Sequence, residues 1–226
     1  MKSKKNIIIV VAAMVVVLGS IALMGIFRDF NAQRYVSVIL NQTLLGEVTE
    51  ESSIIEDASE EELMAQYESG VASFVKNIIP SGAELSEEQE AKYIEACKKV
   101  FKAMKFSVHE EEKISSKEYD VAVTYQPSDV ILKYMELING ELVRMNEKVQ
   151  KGEYQGTEEE INAQMQNEFL ENAAVLLTEA CDTMEYGEEQ TMVFKVVEGE
   201  NELYQISDEE MQQFLVKIMR LDEIQD

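Results

Sequence analysis

Tryptophan is absent from this chain, histidine occurs once, cysteine and proline twice each, and 20 basic residues face 44 acidic ones over 226 positions. Each scarcity removes a class of function. A zinc centre of the usual kind takes several Cys or His ligands, which one histidine and two distant cysteines do not supply. Neither common glycine loop for cradling phosphate is present, and a frequent sugar-stacking side chain is missing with tryptophan. The shortage of Lys and Arg argues against nucleic acid, whose phosphates are bound by cations that displace counterions. An anionic membrane or polyanionic wall is repelled by the same charge. Disorder does not follow from this acidity, because apolar residues recur with clear periods and the length suffices for one full core.

One long hydrophobic run is present. Residues 7–27 carry no charge, follow Lys2, Lys4 and Lys5, and end at Arg28. At about 1.5 Å per residue these positions make a helix of roughly 30 Å, the thickness of a bilayer's hydrocarbon core. A cleaved signal has a shorter apolar core, of about 7–15 residues, followed by a small-x-small site. Here the best such site, Ser20-Ile21-Ala22, lies inside the run. A lipid-bearing cysteine just after the run is absent, the only cysteines being Cys97 and Cys181. The expectation is a retained anchor at 7–27, a cytoplasmic tail at 1–6 and an extracytoplasmic domain at 28–226, with cleavage as the alternative. That outer part holds 17 basic against 44 acidic residues, a formal charge of −27.

Four helix starts carry the capping-box pattern of a hydroxyl followed three residues later by Glu or Gln: Ser59/Glu62, Ser86/Gln89, Thr157/Glu160 and Ser207/Glu210. Apolar stripes at helical spacing follow them, for example Leu63, Tyr67, Val71, Phe74 and Val75, or Tyr93, Cys97, Val100, Phe101 and Met104. Behind Thr157 the stripe runs through Ile161, Met165, Phe169, Ala173, Leu177 and Ala180, and before them all Tyr35, Val38, Ile39 and Leu45 suggest a further helix. The period changes to two at Tyr119, Val121, Val123 and Tyr125, which predicts a strand with Phe106 to Ile114 as its hairpin partner. A second hairpin is expected from Thr191 to Val197 and Glu202 to Ile206. The fold class is therefore α+β: an N-terminal transmembrane helix, then a helix-rich domain with one antiparallel sheet of about four strands in two hairpins. Helix, hairpin, helix occurs twice, over 86–150 and 157–220, and both hairpins end in Tyr-Gln-x-Ser-Asp, at Tyr125 to Asp129 and Tyr204 to Asp208. Duplication and a shared Ser-Asp helix start are both open readings.

Candidate chemistry is thin. His109 stands in a predicted strand beside Glu110, Glu111 and Glu112, with no nucleophile tied to it by a local motif, and reads as an exposed strand residue. Calcium needs clustered oxygen ligands on a turn, whereas the acidic triplets Glu158 to Glu160 and Asp208 to Glu210 fall in first helical turns, where negative charge favours the helix dipole. Cys97 and Cys181 read as buried thiols. The alternative is a disulfide between them, closing a loop worth about 4 kcal/mol in the chain-entropy model. No catalytic, cofactor-binding or metal-ligating residue is assigned, and no cofactor is expected.

The stretch Phe30-Asn31-Ala32-Gln33-Arg34-Tyr35-Val36, followed by an acidic capped helix and two helix-hairpin units, resembles uncharacterised extracytoplasmic envelope proteins and lipoproteins of clostridia-type Gram-positive bacteria. Many of that group are lipoproteins, and this chain departs from them in lacking the lipid-bearing cysteine. The group has no established catalytic residues, so the resemblance carries none over to this chain. The expected function is a non-catalytic binding or interaction module of the cell envelope. Its expected partners are the membrane through residues 7–27 and an unidentified protein or small ligand. The alternatives are an envelope-acting enzyme with dispersed carboxylates and an accessory subunit of a membrane complex.

Overall fold

The structure, a computed structural model, describes residues 30–52, 58–79, 83–199 and 204–224. The expected anchor at 7–27 lies outside them. Among the described residues no helix is long and apolar enough to cross a membrane.

Helix α1 (Ala32–Leu40) runs into a π-helical turn at Asn41–Leu45. After it come α2 (Glu60–Ile78), α3 (Glu87–Lys102), β1 (Lys105–Ser115), β2 (Glu118–Gln126) and α4 (Val130–Gln150). The chain continues with α5 (Glu158–Thr183), β3 (Gln190–Glu198), β4 (Tyr204–Ile206) and α6 (Asp208–Ile218). The order helix, hairpin, helix thus recurs, with 3 described residues in β4 and 9 in β2.

Three of the expected capping boxes form in full, at Ser59, Ser86 and Thr157, and each closes two backbone amides that the first turn leaves without an intrahelical acceptor. The fourth is only half formed. Ser207 Oγ accepts from the Glu210 amide, but the Glu210 carboxylate accepts from the Ser207 hydroxyl at 2.8 Å and from the Lys195 amide of β3 at 3.1 Å in place of the cap amide, so it joins helix to sheet. Gln89 likewise does two jobs, accepting from the Ser86 amide and donating to Asn167 on α5.

The sheet is antiparallel throughout in the order β1-β2-β3-β4, so the two hairpins join through β2 and β3. Tyr119, Val121, Val123 and Tyr125 all point into the core, as alternation requires. Phe194 and Val196 extend that face across β3, and Phe214 of α6 meets Phe106, Tyr125 and Phe194 edge-on at ring distances of 6.2, 5.3 and 5.3 Å. On the opposite face Thr191, Val193, Lys195 and Val197 of β3 are exposed. Helices therefore cover one face, with α1 against β1 and β2 and α6 against β3.

Segment 184–187 fastens the two halves. Asp129 donates its amide to the Glu185 carbonyl and accepts the Glu185 amide on Oδ1, Ser128 bridges to Tyr186, and Gly187 donates to the Pro127 carbonyl. Helices α4 and α5 pair antiparallel through a charged network. Buried Glu141 accepts two bonds from Arg144 and one from Asn172, and Glu168 accepts from Lys148, Arg144 and Tyr154.

Candidate functional site

A cleft of about 470 Å³ opens where α1, the loop after the π-helical turn and β1 meet. Each wall has a local cause. Asn31 caps α1 by accepting the Arg34 amide at 2.5 Å, which turns the side chains of Asn31, Arg34, Ser37 and Asn41 along one wall. Widening the helix to a π-turn at Asn41 and stopping it at Gly46 in the left-handed region (φ 67°) sends the chain back across this face. Thr49 and Ser52 then close a tight turn by exchanging side-chain and backbone bonds, and Glu47, Thr49 and Glu51 form the second wall.

The floor comes from β1. Its pairing with β2 slips between Val108 and Glu111, a bulge that swings Glu111 to the inner face opposite Val121. The Glu111 carboxylate accepts from the Gln33 amide at 3.2 Å, and Gln33 Nε2 donates to the Val108 carbonyl at 3.4 Å. A carboxylate at the positive end of α1 is electrostatically favoured. The Gln33 and Arg34 amides of this first turn are consequently occupied by the protein itself.

The lining is polar, with hydroxyls, carboxamides and one ion pair between Arg34 and Glu51. That pair compensates the guanidinium and leaves the Glu47 carboxylate on the same lining, so the cleft offers hydrogen bonds of both senses, a net negative charge and a small apolar part from Val38 and Val108. Such a lining suits a small polar ligand, neutral or cationic, or a polar peptide segment.

His109 lies outside the cleft, exposed at the bulge, with Nε2 2.9 Å from Thr124 Oγ1. No acid orients it there. Cys97 and Cys181 are buried, each as a free thiol, and burial pushes both thiols upward in pKa. The carboxylates of Glu62, Glu88, Glu141, Glu168 and Glu223 are all moved down in pKa, each through hydrogen bonds from a neighbouring hydroxyl, amide or cation. Among the described residues no group of three or more His, Cys, Asp or Glu side chains is placed to hold a metal ion. The acidic triplets at Glu158 and Asp208 stand in first helical turns. The cleft residues Ser37, Asn41, Glu47, Thr49 and Glu51 were missed by sequence reasoning. The one local signal was Gly46 following a run that is apolar and polar without period.

No protein-family model matches the chain, and a search of curated proteins gives no match. Among solved structures the chain is similar to a candidate lipoprotein, YcdA, of Bacillus subtilis. The TM-score is 0.54 and the identity 16%, over 84% of this chain and 56% of that one. The likeness is one of fold, and this chain spans little more than half the length of that structure.

Proposed function

We propose that the chain is a membrane-anchored, extracytoplasmic envelope protein that binds a small polar ligand or a polar peptide segment in the α1–β1 cleft without chemistry. The observation that carries the binding role is the cleft itself, whose walls are hydrogen-bonding side chains around a compensated Arg34–Glu51 pair. Anchoring is supported by the apolar run at 7–27 and its lysine flank. The fold shared with a candidate lipoprotein and the resemblance to envelope proteins agree with it. The downward carboxylate pKa values lend no support to the enzymatic alternative, which calls for a pair of raised ones in a cleft.

The test is thermal stabilisation of the detergent-solubilised full chain by a panel of amino acids, short peptides and small sugars. A ligand that raises the melting temperature should lose its effect in Ser37→Phe, which fills the cleft, and keep it in His109→Ala. A ligand whose effect survives Ser37→Phe, or is turned over in a His109-dependent way, contradicts the proposal.

A further inference from the structure

Phe30 is the first described residue, and it is held on three sides. Its ring stacks on Tyr204 of β4 at 3.8 Å and 9°, and it meets Tyr119 of β2 at 5.6 Å and Tyr35 of α1 at 5.9 Å. Tyr119 and Tyr204 lie at the hairpin-turn end of the sheet, where Tyr204 donates to the Ser116 carbonyl and Lys117 pairs with Glu198. The apolar run ends at Phe27, and only Arg28 and Asp29 intervene. Three residues span at most about 10 Å. A chain leaving a bilayer at residue 27 is thus clamped to the sheet's turn end within one headgroup layer's depth.

From this clamp we infer that the hairpin-turn end, residues 113–118, is the surface that meets the lipid headgroups. The inference rests on the anchoring reading above. Two side chains suit the position. Ile114 is exposed beside the turn, 49% accessible, and Lys113 lies over the Tyr119 ring with its amine 5.4 Å from the centroid. An exposed isoleucine next in sequence to a lysine that lies over an aromatic ring matches the headgroup zone, where apolar bodies are buried and amines reach water. Charge decides which lipid. Glu112, Glu118 and Glu198 outweigh Lys113 and Lys117, so the surface has no net attraction for anionic lipid, and its partner is a zwitterionic headgroup layer. Proximity supplied by the short tether takes the place of electrostatic attraction. Because Asn31 and Arg34 line the cleft, its ligand is met close to the membrane plane.

The opposite end of the sheet gives the control. Lys102 ends α3 just before β1, and the nine strand steps from Lys105 to Ile114, at about 3.4 Å each, put roughly 30 Å of strand between that end of the sheet and the turn. The full chain is placed in phosphatidylcholine vesicles carrying a nitroxide-headgroup lipid, with a fluorophore on Ile114→Cys or Lys102→Cys. Cys97 and Cys181 are buried under native conditions and stay unlabelled. Flotation after a carbonate wash reads the anchor, and collisional quenching reads the orientation. The expected result is flotation with quenching several-fold stronger at 114 than at 102. A flexible Gly-Ser insertion between Asp29 and Phe30 should bring the two values together. Equal quenching in floated protein, or quenching at 114 that the insertion leaves unchanged, overturns this inference and spares the anchor. Protein left in the carbonate wash overturns both.

Discussion

Gly46 carries the sharpest single-residue demand. It holds φ at 67°, and a Cβ built there would lie 2.5 Å from Tyr67 Cε1, so side chain and backbone both oppose substitution. Gly46→Ala should cost roughly 2–4 kcal/mol, about half from the left-handed backbone and half from displacing a ring in the core. Urea unfolding at neutral pH checks this, and a loss within error of zero would show that Tyr67 swings aside freely. The backbone half of that demand is local, a glycine ending a helix, whereas the steric half comes from a ring 21 positions away and is not written near Gly46. The capping hydroxyls were legible for the opposite reason: Ser59, Ser86 and Thr157 bond to residues three positions on, and such patterns are complete within four letters. Asp129 shows the boundary between the two cases. It sits where a cap belongs, yet its carboxylate accepts from the Glu185 amide, 56 residues distant, and caps nothing on its own helix.

The α4–α5 pair is held by charge more than by burial over its outer half, where Ile161, Met165 and Phe169 are only half-buried. Glu168 is the hub. Lys148 and Arg144 hold its carboxyl down to about 2, and Arg144 and Asn172 lower Glu141 as well. A depressed carboxylate pKa stabilises the fold above the ordinary value near 4.5, and that contribution disappears as pH falls through the folded value near 2. Glu168→Gln should lower stability by about 1–2 kcal/mol at pH 7, a modest figure because the pair is partly solvated. The deficit should shrink as pH falls from 4.5 toward 2. Paired thermal melts across that range test the sign; a deficit constant with pH would place the effect in shape and not in charge. At this scale the sequence was read well where apolar spacing spoke, as in β2, and poorly where all neighbours are polar. The β1 bulge falls within His109-Glu110-Glu111, and three charged or polar letters gave alternation no purchase, so the turn of Glu111 toward α1 stayed hidden.

Across the whole molecule, four strands and a helical layer on one face follow from patterns visible in the chain, but the joint between hairpins does not. Tyr125 pairs with Gln190 and Glu118 with Val197, contacts that span two long helices and depend on how those helices pack back. The cleft shares this non-local origin, since Gln33 of α1 meets Glu111 of β1 across 78 positions of chain. Placement outside the membrane, with the N-terminal run as anchor, is the claim on which the binding role and the orientation both depend. Its most direct measurement is protease shaving of protoplasts expressing the full chain with a C-terminal tag, run beside carbonate extraction of the membrane fraction. The account predicts that external protease removes the tag while undigested protein stays with the membrane through carbonate. A tag protected in intact protoplasts, or a soluble released chain beginning near Ala22 or Arg28, would contradict it.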